Sequence, residues 1–162
     1  MRFPDRSTQI GAIIDQYLKS SNNLGNEVIH LLYSANRWEV ADKIKDTLEN
    51  GTSIICDRYW YSGTAYDVAK GLPLEWCKAT DMGLPKPDLV FFIDSNPELL
   101  AKREGYGDER YDKLEFQKKV RDAYLELRED NWILIDGNKT LNEVRDEVCH
   151  AARSFLENSN AN

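Results

Sequence analysis

The run Thr52-Ser53-Ile54-Ile55-Cys56-Asp57-Arg58 passes from apolar residues straight to an acid and an arginine. Residues 53–56 are too few for a helix and read as a strand buried on both faces. In an open parallel sheet, ligands bind beyond the carboxyl ends of the strands. Asp57 at that edge can hold a magnesium ion or its water, and Arg58 can fork onto a phosphate. A strand followed by a solvated charge pair accounts for the same residues, so the chemistry rests on the other segments.

Those segments carry matching groups. In Phe3-Pro4-Asp5-Arg6-Ser7-Thr8, Arg6 precedes a helix start, where backbone N–H groups favour anions, and Ser7 or Thr8 can cap that helix. In Leu32-Tyr33-Ser34-Ala35-Asn36-Arg37-Trp38, Tyr33 and Arg37 lie one turn apart on one helix face. An aromatic ring there can stack on a flat ligand while the guanidinium bonds to its edge. A core tyrosine beside a surface arginine fits the spacing equally well. Ser62, Gly63 and Tyr66 follow the Asp57-Arg58 edge, with Gly63 allowing close backbone approach. The stretch from Lys102 to Tyr111 holds Arg103, Arg110 and two glycines, as a lid over a transferring phosphate needs. An ordinary solvated loop has the same composition.

The elements that must hold these residues alternate between helical and extended patterns, which points to an α/β domain with a parallel sheet flanked by helices. A first helix near Ser7 carries the stripe Ile10, Ile13, Ile14, Tyr17 and Leu18. A long helical region from about Glu27 is marked by Leu31, Leu32, Ala35 and Trp38, then by Val40, Ile44 and Leu48, with Gly51 as its C-terminal cap. Residues 62–70 and 73–77 read as helices. Residues 89–93 and 132–135 read as second and third strands, each ending, like the first, in an aspartate. Asn96-Pro97 opens a helix running to about Arg103. Stripes over 116–127 and 141–155 mark the last two helices, and the polar tail from Glu157 reads as frayed.

Composition narrows the partners. A net charge of −7 lacks the broad basic face that nucleic acid requires. No apolar run reaches the roughly 18–20 residues of a membrane span. Cys56, Cys77 and Cys149 are widely spaced, which suits a reducing, intracellular compartment better than a disulfide framework or zinc site. His30 and His150 are isolated and read as core or helix-surface residues.

Taken together, F-P-D-R-S-T-x-I-G, L-L-Y-S-A-N-R-W-E, D-R-Y-W-Y-S-G, G-L-P-K-P-D-L-V and E-R-Y resemble the thymidylate kinase family over nearly the whole chain. The resemblance implies a single domain over residues 1–162 with the P-loop NTPase-like fold of nucleoside monophosphate kinases. It implies transfer of the γ-phosphate of MgATP to dTMP, as a homodimer, in the cytosol, with nucleus or mitochondrion open. Arg6 and Arg58 would grip the acceptor phosphate and Asp57 would help hold magnesium. Tyr33 would stack on thymine, Arg37 would bond to the base, and Ser62 and Gly63 would line its pocket. Tyr66 would crowd a 2′-hydroxyl. Arg110 and Tyr111 would close from a lid at about 103–113, Arg103 would lie near ATP, and Asn138 would border the adenine. The sequence holds no G-x-x-x-x-G-K-[ST]. In the family that loop follows a central first strand, so the expectation is a domain lacking both. The alternative is a non-catalytic form that binds dTMP or a family partner.

Overall fold

A computed structural model describes residues 1–100 and 110–159. In chain order these form α1 (Gln9–Leu18), α2 (Asn26–Trp38), α3 (Ala41–Glu49), α4 (Trp60–Ala69), α5 (Leu74–Ala79), β1 (Val90–Asp94), α6 (Pro97–Leu100), α7 (Leu114–Glu126), β2 (Trp132–Asp136) and α8 (Leu141–Ser159). The chain divides into two compact units. Met1–Lys86 and the described part of Gly105–Arg128 form one, and the remainder forms the other.

The first unit is helical. Thr8 caps α1 from an extended backbone, its side chain accepting the Gly11 N–H at 2.9 Å. Ile14, Tyr17 and Leu18 of α1 pack with Ile29 of α2 as a buried cluster. Ile13, expected on that stripe, is 40% exposed, because positions 10, 14 and 17 already define the inward face.

Helix α2 departs further from its sequence pattern. Leu31 and Trp38, which mark the helix in the sequence, are about half exposed, whereas His30, Ser34 and Arg37 are buried at helical spacing. This helix points a polar stripe inward, which is tolerated because each buried group finds a partner. Helix α3 ends at Gly51, where the Gly51 and Thr52 N–H groups donate to Leu48 and Thr47 carbonyls.

Residues 53–56 are not a strand. The segment is extended, but its pairing among the described residues is a single parallel bridge, Arg2 with Asp57, beside a bond from the Met1 ammonium to the Ile55 carbonyl at 2.5 Å, and Ile55 is 87% exposed. A strand is defined by its neighbour, and here the ladder stops at a single rung. Helix α4 begins at Trp60 rather than Ser62, and the piece after Pro73 continues to Ala79.

The second unit holds the parallel pair, in register from Val90↔Trp132 to Asp94↔Asp136. Both strands end in the expected aspartates. Trp132 and Ile135 are buried, and α8 packs on β2. Leu141, expected on the stripe of α8, is 84% exposed at its first position. The polar tail does not fray from Glu157, since α8 stays helical to Ser159. Asn96 caps α6, accepting the Glu98 N–H at 2.9 Å. The expected continuation of that helix to Arg103 lies outside the described residues.

Candidate functional site

The site begins where the N-terminal segment meets residue 57. The Phe3 N–H donates to the Asp57 carbonyl, and the Asp57 N–H to the Met1 carbonyl, each at 2.9 Å. Phe3 is buried with its ring 5.3 Å from that of Tyr59, and the Phe3–Pro4 peptide is cis. Asn36 on α2 then pins the next stretch. Its Oδ1 accepts the Asp5 N–H at 2.7 Å, and its Nδ2 donates to the Asp5 carbonyl at 3.2 Å and to Thr8 Oγ1 at 3.1 Å. This buried side chain holds the Asp5 backbone before Arg6 and the Thr8 hydroxyl after it. The Arg6 guanidinium itself pairs with Asp15 at 2.9 Å near the surface.

Arg58 sits at φ +62°, a left-handed conformation that a side chain with a Cβ adopts only at a cost. The turn lifts its guanidinium to 5.5 Å from the centre of the Tyr66 ring. Tyr66 in turn meets Tyr111 edge-on at 5.5 Å, and Tyr111 stacks on Phe116 at 5.2 Å. Ser62 Oγ lies 2.5 Å from the Tyr124 hydroxyl. Burial pushes the Tyr124 phenol up to about 12, so it stays protonated at neutral pH.

Arg37 is almost wholly buried. Its Nε and Nη2 donate to the Asp81 carboxylate at 2.9 and 2.6 Å, and Ser34 Oγ adds a bond at 2.9 Å. The fork leaves Nη1 facing Gly63, where an added Cβ would stand 3.1 Å away. Gly63→Ala is therefore expected to lower the urea midpoint. Crowding a guanidinium pinned by Asp81 costs roughly 1–3 kcal/mol, which outweighs the gain of about 1 kcal/mol from replacing a helical glycine.

These residues converge on one cavity of about 420 Å³. Arg6, Tyr33, Arg37, Arg58, Ser62, Gly63, Tyr66 and Tyr111, all singled out from the sequence, line it. So do Arg2, Phe3, Tyr59 and Asp112, which sequence reasoning missed. Arg2 adjoins a recognised string, but nothing local marks it as inward. Three other candidates lie elsewhere. The Asp57 carboxylate is exposed and 3.2 Å from Arg2 Nε, outside the lining. The Arg110 guanidinium donates to the Tyr17 carbonyl at 3.0 Å and the Asn22 carbonyl at 2.8 Å, closing the C-terminal end of α1. Asn138, in the second unit, accepts the Asn96 N–H at 3.0 Å and donates to Asp136 at 2.8 Å. Arg103 lies outside the described residues.

No trio of metal-ligating side chains is present among the described residues. Asp57, paired with Arg2 at the surface, offers one carboxylate, and a magnesium ion held by a single protein acid keeps most of its waters or takes its other ligands from a substrate phosphate.

A cavity lined by four arginines and several aromatic residues, in a chain that also pairs parallel strands ending in acids, marks an α/β protein with a pocket whose lining suits an anionic, ring-bearing ligand. Comparison with known proteins narrows this class. The thymidylate kinase family model matches residues 1–148. A thymidylate kinase of Dictyostelium discoideum is 50% identical over 149 residues, covering 91% of this chain and 67% of that protein. One from Arabidopsis thaliana is 48% identical, covering 91% of this chain and 56% of that protein. The structure of thymidylate kinase from Candida albicans superposes with a TM-score of 0.88 at 40% identity, covering 96% of this chain and 79% of that one. The chain belongs to the thymidylate kinase family, and its fold is that of the nucleoside monophosphate kinases.

Proposed function

We propose that the cavity receives dTMP as phosphoryl acceptor, with ATP as donor, giving dTDP and ADP. The observation that carries this reading is the lining itself: Arg6 and Arg58 for a phosphate, Tyr33 for a ring, and Arg37 with one guanidinium nitrogen turned to Gly63 for the edge of a base. Arginine offers donors only. Nη1 therefore favours the O4 carbonyl of thymine over the N4 amino group of cytosine. Ser62 and Gly63 complete the base wall, and Tyr66, tethered to Arg58 and Tyr111, crowds a ribose 2′-hydroxyl. Tyr111 closes the cavity beside Tyr66, and Arg110 holds the chain next to it against α1.

Phosphoryl transfer is catalysed by positioning and charge stabilisation more than by covalent chemistry. The lining residues therefore act by orienting the acceptor. Arg6 and Arg58 neutralise and aim its phosphate, and the aromatic walls exclude water from it. Magnesium, when bound, neutralises charge on the phosphates, with Asp57 as its protein partner. The family resemblance assigns Asn138 to the adenine of ATP and Arg103 to the donor side. The family also supports a homodimer. Val28, Leu31 and Trp38 form one exposed apolar stripe on α2, which a second copy would cover.

Calorimetric titration of the chain tests the acceptor reading. Affinity is expected to fall in the order dTMP, dCMP, thymidine, since the second lacks the O4 acceptor and the third the phosphate. Equal binding of dTMP and dCMP overturns the role of Arg37. A second reading, a dTMP-binding chain without turnover, rests on the same lining, in which every assigned contact is to the acceptor. Chromatographic detection of dTDP from dTMP and MgATP separates the two.

A further inference from the structure

We propose that Lys70 is a positioning residue of this cavity: anchored by Asp67 and His30, it clamps the hydroxyl of Tyr111 and so sets the Tyr111 ring in the cavity wall. This rests on the reading of the cavity as the dTMP site. Neither Lys70 nor Asp67 nor His30 lines the cavity, but the contacts run to it without a break. The His30 Nδ1–H donates to Asp67 Oδ2 at 2.6 Å, and both side chains are shut off from solvent. Asp67 Oδ1 pairs with Lys70 Nζ one turn along α4. Lys70 Nζ then donates to the Tyr111 hydroxyl at 3.1 Å and lies 5.2 Å from the ring centre. The Tyr111 hydroxyl donates onward to the Tyr17 hydroxyl at 2.9 Å.

The direction of these bonds is fixed by chemistry. An ammonium only donates, so Tyr111 must accept from Lys70, which leaves its own proton for Tyr17. The phenol is thus held at both lone pair and proton. Burial together with the Tyr17 bond pushes the Tyr111 phenol far above its ordinary range, so that proton is retained. A lysine ordinarily swings freely on its stem. Here the buried carboxylate removes that freedom, and His30 removes it from the carboxylate. The result is a rigid strut from α2 through α4 to a ring that faces the ligand.

The test is a double-variant cycle on Lys70→Met and Tyr111→Phe in the full chain, read in two ways. Without ligand, the shift of the urea midpoint for the pair is expected to be smaller than the sum of the two single shifts, because each removes the same bond. With dTMP, Lys70→Met is expected to weaken calorimetric affinity about tenfold in the Tyr111 background and not at all in the Tyr111→Phe background, while Lys70→Arg keeps parental affinity. If Lys70→Met does not fold, Asp67→Leu/Lys70→Met, which removes both buried charges together, carries the same expectation. Additive shifts, or equal loss of affinity in both backgrounds, overturn the clamp. If the parent itself ignores dTMP, the acceptor reading fails, and the urea cycle still decides whether Lys70 holds Tyr111.

Discussion

Arg37→Met is expected to destabilise the chain by about 3–5 kcal/mol, seen as a lower urea midpoint with an unchanged slope. The cause lies on Asp81. Its carboxylate is buried and accepts two bonds from Arg37, so truncating the arginine leaves a charge out of water with the neutral Ser34 hydroxyl beside it. The double variant Arg37→Met/Asp81→Leu is expected to recover most of the loss, because an apolar pair of similar volume removes both charges. Recovery of stability should not bring back dTMP affinity, since the nitrogen facing Gly63 is gone in both. A double variant as unstable as the single one would show that the arginine acts through packing and not through its carboxylate.

Replacing Arg58 separates strain from recognition. Arg58→Ala and Arg58→Gly should each weaken dTMP binding roughly 10–100-fold, the worth of one charge-assisted bond to phosphate at about 1.5–3 kcal/mol. Their stabilities should differ. Alanine keeps the cost of φ +62°, whereas glycine does not, so Arg58→Gly is expected to be the more stable of the two by about 1 kcal/mol. Calorimetry gives the first quantity and urea unfolding the second. Equal stability would mean that the turn at residue 58 carries no strain of its own.

The parts of this site that were legible in the sequence are those set by local geometry. Tyr33 and Arg37 share a helix face because residues four apart always do, and both line the cavity. The cap of α1 could be narrowed to Ser7 or Thr8, of which Thr8 serves, and Gly51 could be placed at a helix end, because those roles depend on a few neighbouring backbone groups. The partners were not legible. Asp81 stands 44 positions from Arg37 in a segment with no distinguishing pattern, and only the need of a buried guanidinium for a carboxylate points to it. His30 looked like an isolated residue because Asp67 lies 37 positions away. Residues 53–56 misled for a related reason: an apolar run expresses a readiness to pair, and pairing is a property of two segments. Helix α2 misled in part, with Leu31 and Trp38 outward and Arg37 inward on a helix that still buries Ile29, since periodicity reports which residues share a face and not where that face points. Arg110, assigned to a lid through the E-R-Y string, donates to carbonyls at the end of α1, and no local pattern announced those partners.

The rung between Arg2 and Asp57 also tethers the segment whose next residues, Phe3 and Arg6, stand in the cavity wall. A change that loosens residue 57 is thus felt where the ligand would sit before it is felt in the helices.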